Sequence, residues 1–163
     1  MNKIAKIAVN GSKIVEVTKP EHVTYSIENY VPKYCAGYDP DTNLCVNWQG
    51  GYWTSAGSGS TGAKITGTVS SSSSLKVTGN SAAKIGDTTN EAWVASPPIP
   101  SSNGSTRYTA TSPVSGSGQG SITEGNGKNV KLNGQLIATV GAEVTTCLGN
   151  KTIIADGNNL INM

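Results

Sequence analysis

The chain contains no phenylalanine, a single histidine and few charged residues, and each shortage narrows the classes of protein it can belong to. Without phenylalanine, a core must be built from Ile, Val, Leu and Ala with a few Trp and Tyr, which is thin for 163 residues. Charged residues make up 13% and the net charge is +2, so the chain lacks the basic field that nucleic acids attract. We therefore expect no nucleic-acid partner.

The lone histidine also leaves catalysis with almost no support. A serine or cysteine nucleophile needs a general base, and His22 is the only imidazole in the chain. Neither G-x-S-x-G nor H-E-x-x-H occurs, and the Ser/Gly runs are low-complexity sequence. We predict that the protein is not an enzyme.

Long apolar runs are missing as well. Met1–Thr18 carries three scattered lysines and no apolar core of a signal peptide. No stretch approaches the ~20 apolar residues of a membrane helix. We expect a protein made in the cytoplasm without a signal peptide, where a reducing environment favours metal thiolates over disulfides.

One β-motif is present at least twice. Leu75–Asp87 reads LKVTGNSAAKIGD, and Val130–Ala142 reads VKLNGQLIATVGA. Four positions coincide when the two are aligned, and three apolar pairs fall in step: Lys76/Lys131, Gly79/Gly134, Ala83/Ala138, Gly86/Gly141, Leu75/Val130, Val77/Leu132 and Ile85/Val140. A looser copy, Ile7–Val17, opens the chain, and Leu160-Ile161-Asn162 resembles the front half of a fourth. Such repetition indicates equivalent units around an axis or along a line.

Each copy is predicted to form a short hairpin. Apolar residues alternate in each arm, which places them on one face of a strand. Asn10-Gly11 and Asn133-Gly134 stand between the arms, and Gly79-Asn80 stands at the matching place. Asn and Gly tolerate the positive φ that a two-residue hairpin turn requires.

The whole chain favours an all-β fold, because β-branched residues, glycine and serine dominate and no helical pattern is present. Length predicts one domain, residues 1–163, with a loop-rich Ser/Gly/Pro insert at 88–127. Residues 55–74 are typical of a flexible linker, although Ile65 and Val69 allow a short strand. Asp39–Asn43 resembles a calcium loop in its alternating oxygens, but a simple turn is the preferred interpretation.

Val77–Asp87 resembles the motif of the PAAR-repeat family, in which a strand and an N-G-type turn precede Pro-Ala-Ala-Arg and an apolar-Gly-Asp ending. Here Ser81-Ala82-Ala83-Lys84 stands in place of Pro-Ala-Ala-Arg. The second copy is followed by Val144–Cys147, where family members often have Val-Thr-Cys, and the closing TIIADGNNLIN resembles the family's final strand. The resemblance covers roughly the last 90 residues and, more weakly, the first 17.

The resemblance implies a fold and a function. PAAR proteins are small conical β-structures of repeated hairpins in a pseudo-threefold arrangement. They cap the homotrimeric β-helical spike of contractile injection machines, which include phage tails, R-type bacteriocins and type VI secretion systems. It follows that one tip would bind each spike trimer, be assembled into the particle, and pierce the target cell envelope on delivery to the cell surface.

The resemblance also implies a metal near the apex, typically held by three histidines and one cysteine. This chain departs from that pattern because His22 is its only histidine. One His and three Cys still make a tetrahedral set, so we predict one structural zinc or iron ion at His22, Cys35, Cys45 and Cys147. Two alternatives stay open: a Cys35–Cys45 disulfide, or three cysteines that are ordinary small buried hydrophobes.

Two aromatic clusters have more than one interpretation. Trp93–Pro100 either covers the core or offers an apolar surface to a partner. Trp48, Tyr52 and Trp53 allow the same two interpretations and a third, a platform for carbohydrate. The alternative to a spike tip is accordingly a surface-binding β-domain, adhesin or lectin-like, that uses this second cluster.

Overall fold

The computed structural model describes residues 5–124, 131–132 and 134–161, and this part of the chain is all-β, as the sequence predicts. The strands are β1 (Ala5–Ile7), β2 (Val17–Val31), β3 (Tyr34–Tyr38), β4 (Cys45–Gln49), β5 (Tyr52–Ser70), β6 (Lys76–Val77), β7 (Asn80–Ser81), β8 (Thr88–Ser96), β9 (Thr106–Ala110), β10 (Ser115–Glu124), β11 (Lys131–Leu132), β12 (Gln135–Leu136), β13 (Glu143–Thr145), β14 (Lys151–Ile153) and β15 (Asn158–Ile161). Within the described residues there is no helix capable of crossing a membrane.

The chain divides into two compact units, whereas the sequence predicted one domain. The first, called the repeat unit, comprises Met1–Pro20, Ala63–Val94 and Ser115–Met163. The second unit comprises Glu21–Gly62 and Ala95–Val114. All copies of the sequence motif fall in the repeat unit.

A closed ring of three backbone hydrogen bonds lies at the centre of the repeat unit. The amide of Ala8 donates to the carbonyl of Ala138 (3.0 Å), Ala138 donates to Ala83 (2.9 Å), and Ala83 donates back to Ala8 (2.8 Å). All three alanines are completely buried. A methyl group is the largest side chain that lets three backbones meet this closely, which explains why alanine recurs at this position of the motif.

Each alanine is followed, three residues later, by a glycine turn. Gly11, Gly86 and Gly141 have φ values of +90°, +94° and +92°. The three turns are closed by equivalent bonds: Ser12 N to Val9 O, Asp87 N to Lys84 O, and Ala142 N to Thr139 O. Asn10-Gly11 is thus equivalent to Ile85-Gly86 and Val140-Gly141. The alignment of Asn10-Gly11 with Asn133-Gly134 was wrong, because the other two copies each have two turn glycines and Gly11 corresponds to the second of them.

Two of the predicted hairpins are present. Strands β6 and β7 pair antiparallel, as do β11 and β12. The β6–β7 turn consists of Thr78 and Gly79, with φ of +50° and +84°, so Asn80 belongs to strand β7 and not to the turn as predicted. In the other hairpin Gly134 has φ +82°, and Asn133 lies outside the described residues.

The third hairpin is completed by the two ends of the described chain. Strand β15 pairs antiparallel with β1, with Ala5 opposite Ile161 and Ile7 opposite Asn158. The C-terminal segment therefore supplies the first arm of the opening copy, and it does not begin a fourth copy. Asn162 lies outside the described residues.

A longer hairpin follows each glycine turn. The pairs are β2 with β5, β8 with β10, and β13 with β14, and they lie side by side in a seven-stranded sheet of order β14-β13-β10-β8-β5-β2-β9. The third pair is joined by a tight turn in which Thr146 N donates to Asn150 O (2.8 Å). In the first and second pairs, the residues between the two arms belong to the second unit.

The predicted linker at 55–74 was wrong, because β5 occupies most of it. Ala63, Ile65 and Val69 are buried at alternate positions of this strand, and that alternation anchors a segment otherwise rich in Ser, Gly and Thr. The predicted loop-rich insert at 88–127 likewise holds β8, β9 and β10.

The core of the repeat unit consists of two apolar clusters, and the larger one includes the three ring alanines. The larger contains Ala8, Ile14, Val69, Ala83, Ile122, Ala138, Ala142, Val144 and Ile154. The smaller contains Ile7, Val9, Val77, Ala82 and Ile137. Val69, Ile122 and Ile154 accept equivalent bonds from the three turn glycines, so the core itself follows the threefold pattern.

Candidate functional site

The threefold backbone pattern extends well beyond the alanine ring. Two residues past each ring alanine, Asn10 N donates to Ser81 O (2.8 Å), Ile85 N to Leu136 O (2.8 Å) and Val140 N to Lys6 O (2.9 Å). The isolated bridges repeat in the same sense: Ile7 with Thr139, Val9 with Ala82, and Lys84 with Ile137. The three copies are therefore related by a local threefold axis, although only a few of their side chains are identical.

The four predicted metal ligands are not brought together among the described residues. Cys35 and Cys45 are joined in a disulfide, with their Cα atoms 5.9 Å apart, and the bond ties β3 to β4. His22 is half-buried on β2 in the second unit. Cys147 is a free cysteine in the repeat unit. Of the alternatives left open by the sequence, the Cys35–Cys45 disulfide is the one present.

This arrangement does not fit a zinc or iron site. Two of the three cysteine sulfurs are consumed by the disulfide, and metal binding requires thiolates. Burial, followed by the nearby Glu91 carboxylate, raises the pKa of the Cys147 thiol to about 11, which disfavours its thiolate at neutral pH. No group of three or more His, Cys, Asp or Glu side chains suited to a metal is found in the described ranges. The structural ion remains a prediction that the disulfide-bonded state does not support.

Cys147 lies beside a buried polar cluster that was not predicted from the sequence. The Glu91 carboxylate, 4% exposed, accepts hydrogen bonds from the Thr89 hydroxyl and from the backbone N–H of Cys147 (2.8 Å). A carboxylate so enclosed is held by its donors, because an unpaired buried charge is strongly destabilising. The cluster ties β8 to the turn between β13 and β14. Its only signal in the sequence was the row of glycines on β10 that faces it.

The second unit presents a hairpin whose large apolar side chains are exposed. We call β3, β4 and their connecting turn the exposed hairpin. Six of the ten exposed large hydrophobic side chains among the described residues lie in it or at the start of β5: Tyr34, Tyr38, Leu44, Val46, Trp48 and Tyr52. Such concentration marks a surface for binding and not the scatter normal for a soluble protein.

The predicted cluster of Trp48, Tyr52 and Trp53 is divided between two environments. Trp53 is half-buried, with the Arg107 guanidinium 4.5 Å from its ring centroid and the Tyr30 ring 5.2 Å away. Arg107 also makes two hydrogen bonds to the Glu28 carboxylate, at 3.2 and 2.9 Å. Trp53 therefore belongs to a packing cluster, whereas Trp48 and Tyr52 are more than half exposed.

The acidic turn of the exposed hairpin is a simple turn, as the sequence favoured. Asp39 Oδ1 accepts the backbone N–H of Asp41 at 2.8 Å, and Asn43 N donates to Asp39 O at 2.8 Å. These bonds are those of an Asx turn, which closes the loop with its own side chain.

The apolar segment Trp93–Pro100 is also divided. Trp93 packs over Gly116 of the neighbouring strand, where a Cβ would lie 2.7 Å from the indole ring. Pro97 belongs to the second unit, and its carbonyl accepts the Thr61 hydroxyl at 2.6 Å. The first part of the segment thus packs on a neighbouring strand of its own sheet, and Val94 beside it is exposed.

No protein-family model, curated protein or solved structure was found to match this chain.

Proposed function

We propose that this protein is the spike tip of a contractile injection apparatus, of the class that includes phage tails, R-type bacteriocins and type VI secretion systems. One copy would cap the blunt end of a homotrimeric β-helical spike and narrow it for piercing the target envelope. The role is mechanical and needs no catalytic group.

The observation that supports this proposal is the closed ring of Ala8, Ala83 and Ala138. A homotrimer ends in three identical surfaces related by a threefold axis. An ordinary monomer can match only one of them, so the other two stay uncovered or recruit further copies. A chain with three equivalent segments around its own axis can engage all three at once, and this gives one tip for three spike chains.

Strand edges and apolar side chains would make the contact. Only 13% of the residues are charged, which is too few for an electrostatic dock. Continuing the strands of a β-helical partner satisfies main-chain donors and acceptors without requiring particular side chains. The same edges, when unpaired, favour self-association, so the isolated protein is expected to behave worse than the complex.

Native mass spectrometry of the protein co-expressed with the trimeric spike protein of its own gene neighbourhood tests the proposal. We expect one copy of this chain bound to three spike chains. An unrelated trimeric β-helix, co-expressed in the same way, controls for indiscriminate end-to-end strand pairing and should not bind. Three copies per trimer would contradict the symmetry match, and a well-behaved monomer that ignores the spike would contradict the function.

A further inference from the structure

The exposed hairpin has no apolar core of its own. The structure describes every residue from Pro32 to Gly50, and none of them is buried. The half-buried residues of this range are Cys35, Gly37, Asp39, Cys45 and Gly50. Burial of apolar side chains is the main force that holds strands in place, and a two-stranded hairpin without it is marginally stable in water. Packing alone therefore does not keep β3 and β4 paired.

The backbone pairing of the hairpin is weak as well. Tyr34 stands opposite Gln49 at one end and Tyr38 opposite Cys45 at the other, but the register is irregular on both sides of Gly37. The two strands form a sheet by themselves, apart from the seven-stranded sheet. The side-chain hydrogen bonds described for the hairpin join its own residues to one another, as between the Tyr34 hydroxyl and Gln49. No neighbouring strand of the described chain adds to this pairing.

The disulfide is the strongest connection between the two strands. Cys35 and Cys45 are 10 residues apart in the sequence, and their Cα atoms are 5.9 Å apart. In the chain-entropy model, closing a loop of this length raises the ratio of paired to open hairpin by roughly a hundred-fold. For a hairpin without a buried residue, a factor of this size decides which of the two forms is populated.

The same connection is open to chemical attack. Both cysteines are only half-buried, and most of the residues around them in the sequence are exposed, so an attacking thiolate has access to the sulfurs. Linkage requires that the paired hairpin stabilise the disulfide by the same factor as the disulfide stabilises the hairpin. Because the hairpin has no packed core to lose, reduction costs the protein only the order of this segment. Disulfides in such exposed segments are the ones that thiols reduce readily.

We propose that the Cys35–Cys45 disulfide is a redox switch that orders or opens the exposed hairpin. A dithiol attacks one sulfur as its thiolate and forms a mixed disulfide, and its second thiol then displaces the protein sulfur. The dithiol gives up two electrons and two protons and becomes a cyclic disulfide, while Cys35 and Cys45 become thiols. The reduced hairpin opens, and Tyr34, Tyr38 and Trp48 lose the fixed spacing that the paired strands give them.

The inference does not depend on the spike-tip function, because it concerns the hairpin alone and needs no spike protein. In oxidising surroundings the exposed apolar side chains are held on an ordered hairpin. In reducing surroundings the same segment is an open loop, and the repeat unit keeps its own buried core.

Hydrogen exchange of the full chain, followed by mass spectrometry under native conditions, tests the switch. The protein is compared before and after treatment with dithiothreitol. We expect the amides of residues 34–49 to exchange about ten-fold faster or more after reduction, because the loop constraint on opening is lost. Peptides from β8 and β10 should exchange at an unchanged rate. Removing the dithiol and adding oxidised glutathione should restore slow exchange in the hairpin.

Two variants serve as controls. Cys35→Ser combined with Cys45→Ser removes the switch, so its hairpin should exchange fast without any reductant and should not respond to one. Cys147→Ser removes the free thiol of the described chain and should keep the full response of the parent. Thermal unfolding of each variant checks that the rest of the fold is intact.

Three results would overturn the inference. Equal exchange of residues 34–49 in the oxidised and reduced protein would mean that other interactions hold the hairpin. Faster exchange in β8 and β10 as well would make the disulfide a staple for the whole fold and not a local switch. Loss of the response in Cys147→Ser would assign the effect of the reductant to that thiol.

Discussion

At the scale of single residues, the short hairpins depend on backbone conformations that glycine adopts without strain. Gly79 and Gly134 have φ of +84° and +82°, and a Cβ at either position would meet nothing within 4 Å. Any cost of replacing them is thus conformational and not steric. We expect Gly79→Val and Gly134→Val each to lower the free energy of unfolding by more than ~1 kcal/mol, measured by urea denaturation.

Gly104 provides the control for this prediction. It also has open space around its Cβ position, but its φ lies outside the left-handed region. Gly104→Val should change the free energy of unfolding by less than about 0.5 kcal/mol. Equal effects at Gly79 and Gly104 would mean that the turn conformation is not what the glycine is needed for.

The state of the cysteines gives a second residue-scale prediction. With Cys35 and Cys45 in a disulfide, the denatured, unreduced protein should contain one reactive thiol, Cys147, by titration with an aromatic disulfide reagent. Reduction should raise the count to three. If the unreduced protein instead shows three thiols and elemental analysis finds one zinc or iron per chain, the four-ligand site predicted from the sequence would be restored.

The repeat motif and the metal site differ in how much the sequence could reveal about them. Glycine and alanine at fixed spacing report backbone geometry directly, so the repeat could be recognised from the register of Ala83 with Ala138. Counting one histidine and three cysteines reports only that a tetrahedral set is available. Whether Cys147 lies near Cys35 depends on the packing of separate segments, which spacing along the chain does not encode.

At the scale of elements, glycine at every second position of β10 makes room for side chains of β8 and for Cys147. Gly116, Gly118 and Gly120 stand opposite Trp93, Glu91 and Thr89. The sequence SGSGQG looks like a linker because its inward positions carry no apolar side chain, and hydrophobic periodicity therefore gives no signal. Side chains of the neighbouring strand fill the space beside these glycines. This part of the segment 88–127 was therefore predicted to be loop, although it forms a strand.

Gly120→Ala tests this complementarity. A Cβ at that position would overlap the Glu91 carboxylate and the carbonyl of Thr145, and β10 is fixed by ladders on both sides. We expect the free energy of unfolding to fall by roughly 2 kcal/mol or more, the range of overpacked cores. Ser117→Ala, an exposed position of the same strand, should be nearly neutral. If Gly120→Ala were as mild as Ser117→Ala in thermal and urea unfolding, the row of glycines would have no packing role.

At the scale of the whole molecule, the repeat unit has three copies of one backbone pattern in a single chain. In the third short hairpin, the two antiparallel strands β1 and β15 come from opposite ends of the described residues. Two features made this arrangement hard to foresee. The first arm of the opening copy comes from the far end of the described sequence, and the second unit is formed by two separate stretches of the chain, Glu21–Gly62 and Ala95–Val114.

A circular permutant tests whether the three copies are truly equivalent. Ile161 stands opposite Ala5, so an Asn-Gly turn inserted between them would close the third hairpin as a two-residue turn. New chain ends placed between Thr78 and Gly79 would open the turn of the β6–β7 hairpin. If the three copies are equivalent, opening one short hairpin and closing another leaves the backbone pattern unchanged. We therefore expect the permutant to unfold cooperatively with a melting temperature within a few degrees of the parent. A permutant opened inside β10, between Gly118 and Gln119, breaks the sheet at its centre and should not fold. If both permutants fail, the closed ring of alanines depends on where the chain begins, and the match to a threefold partner loses its physical basis.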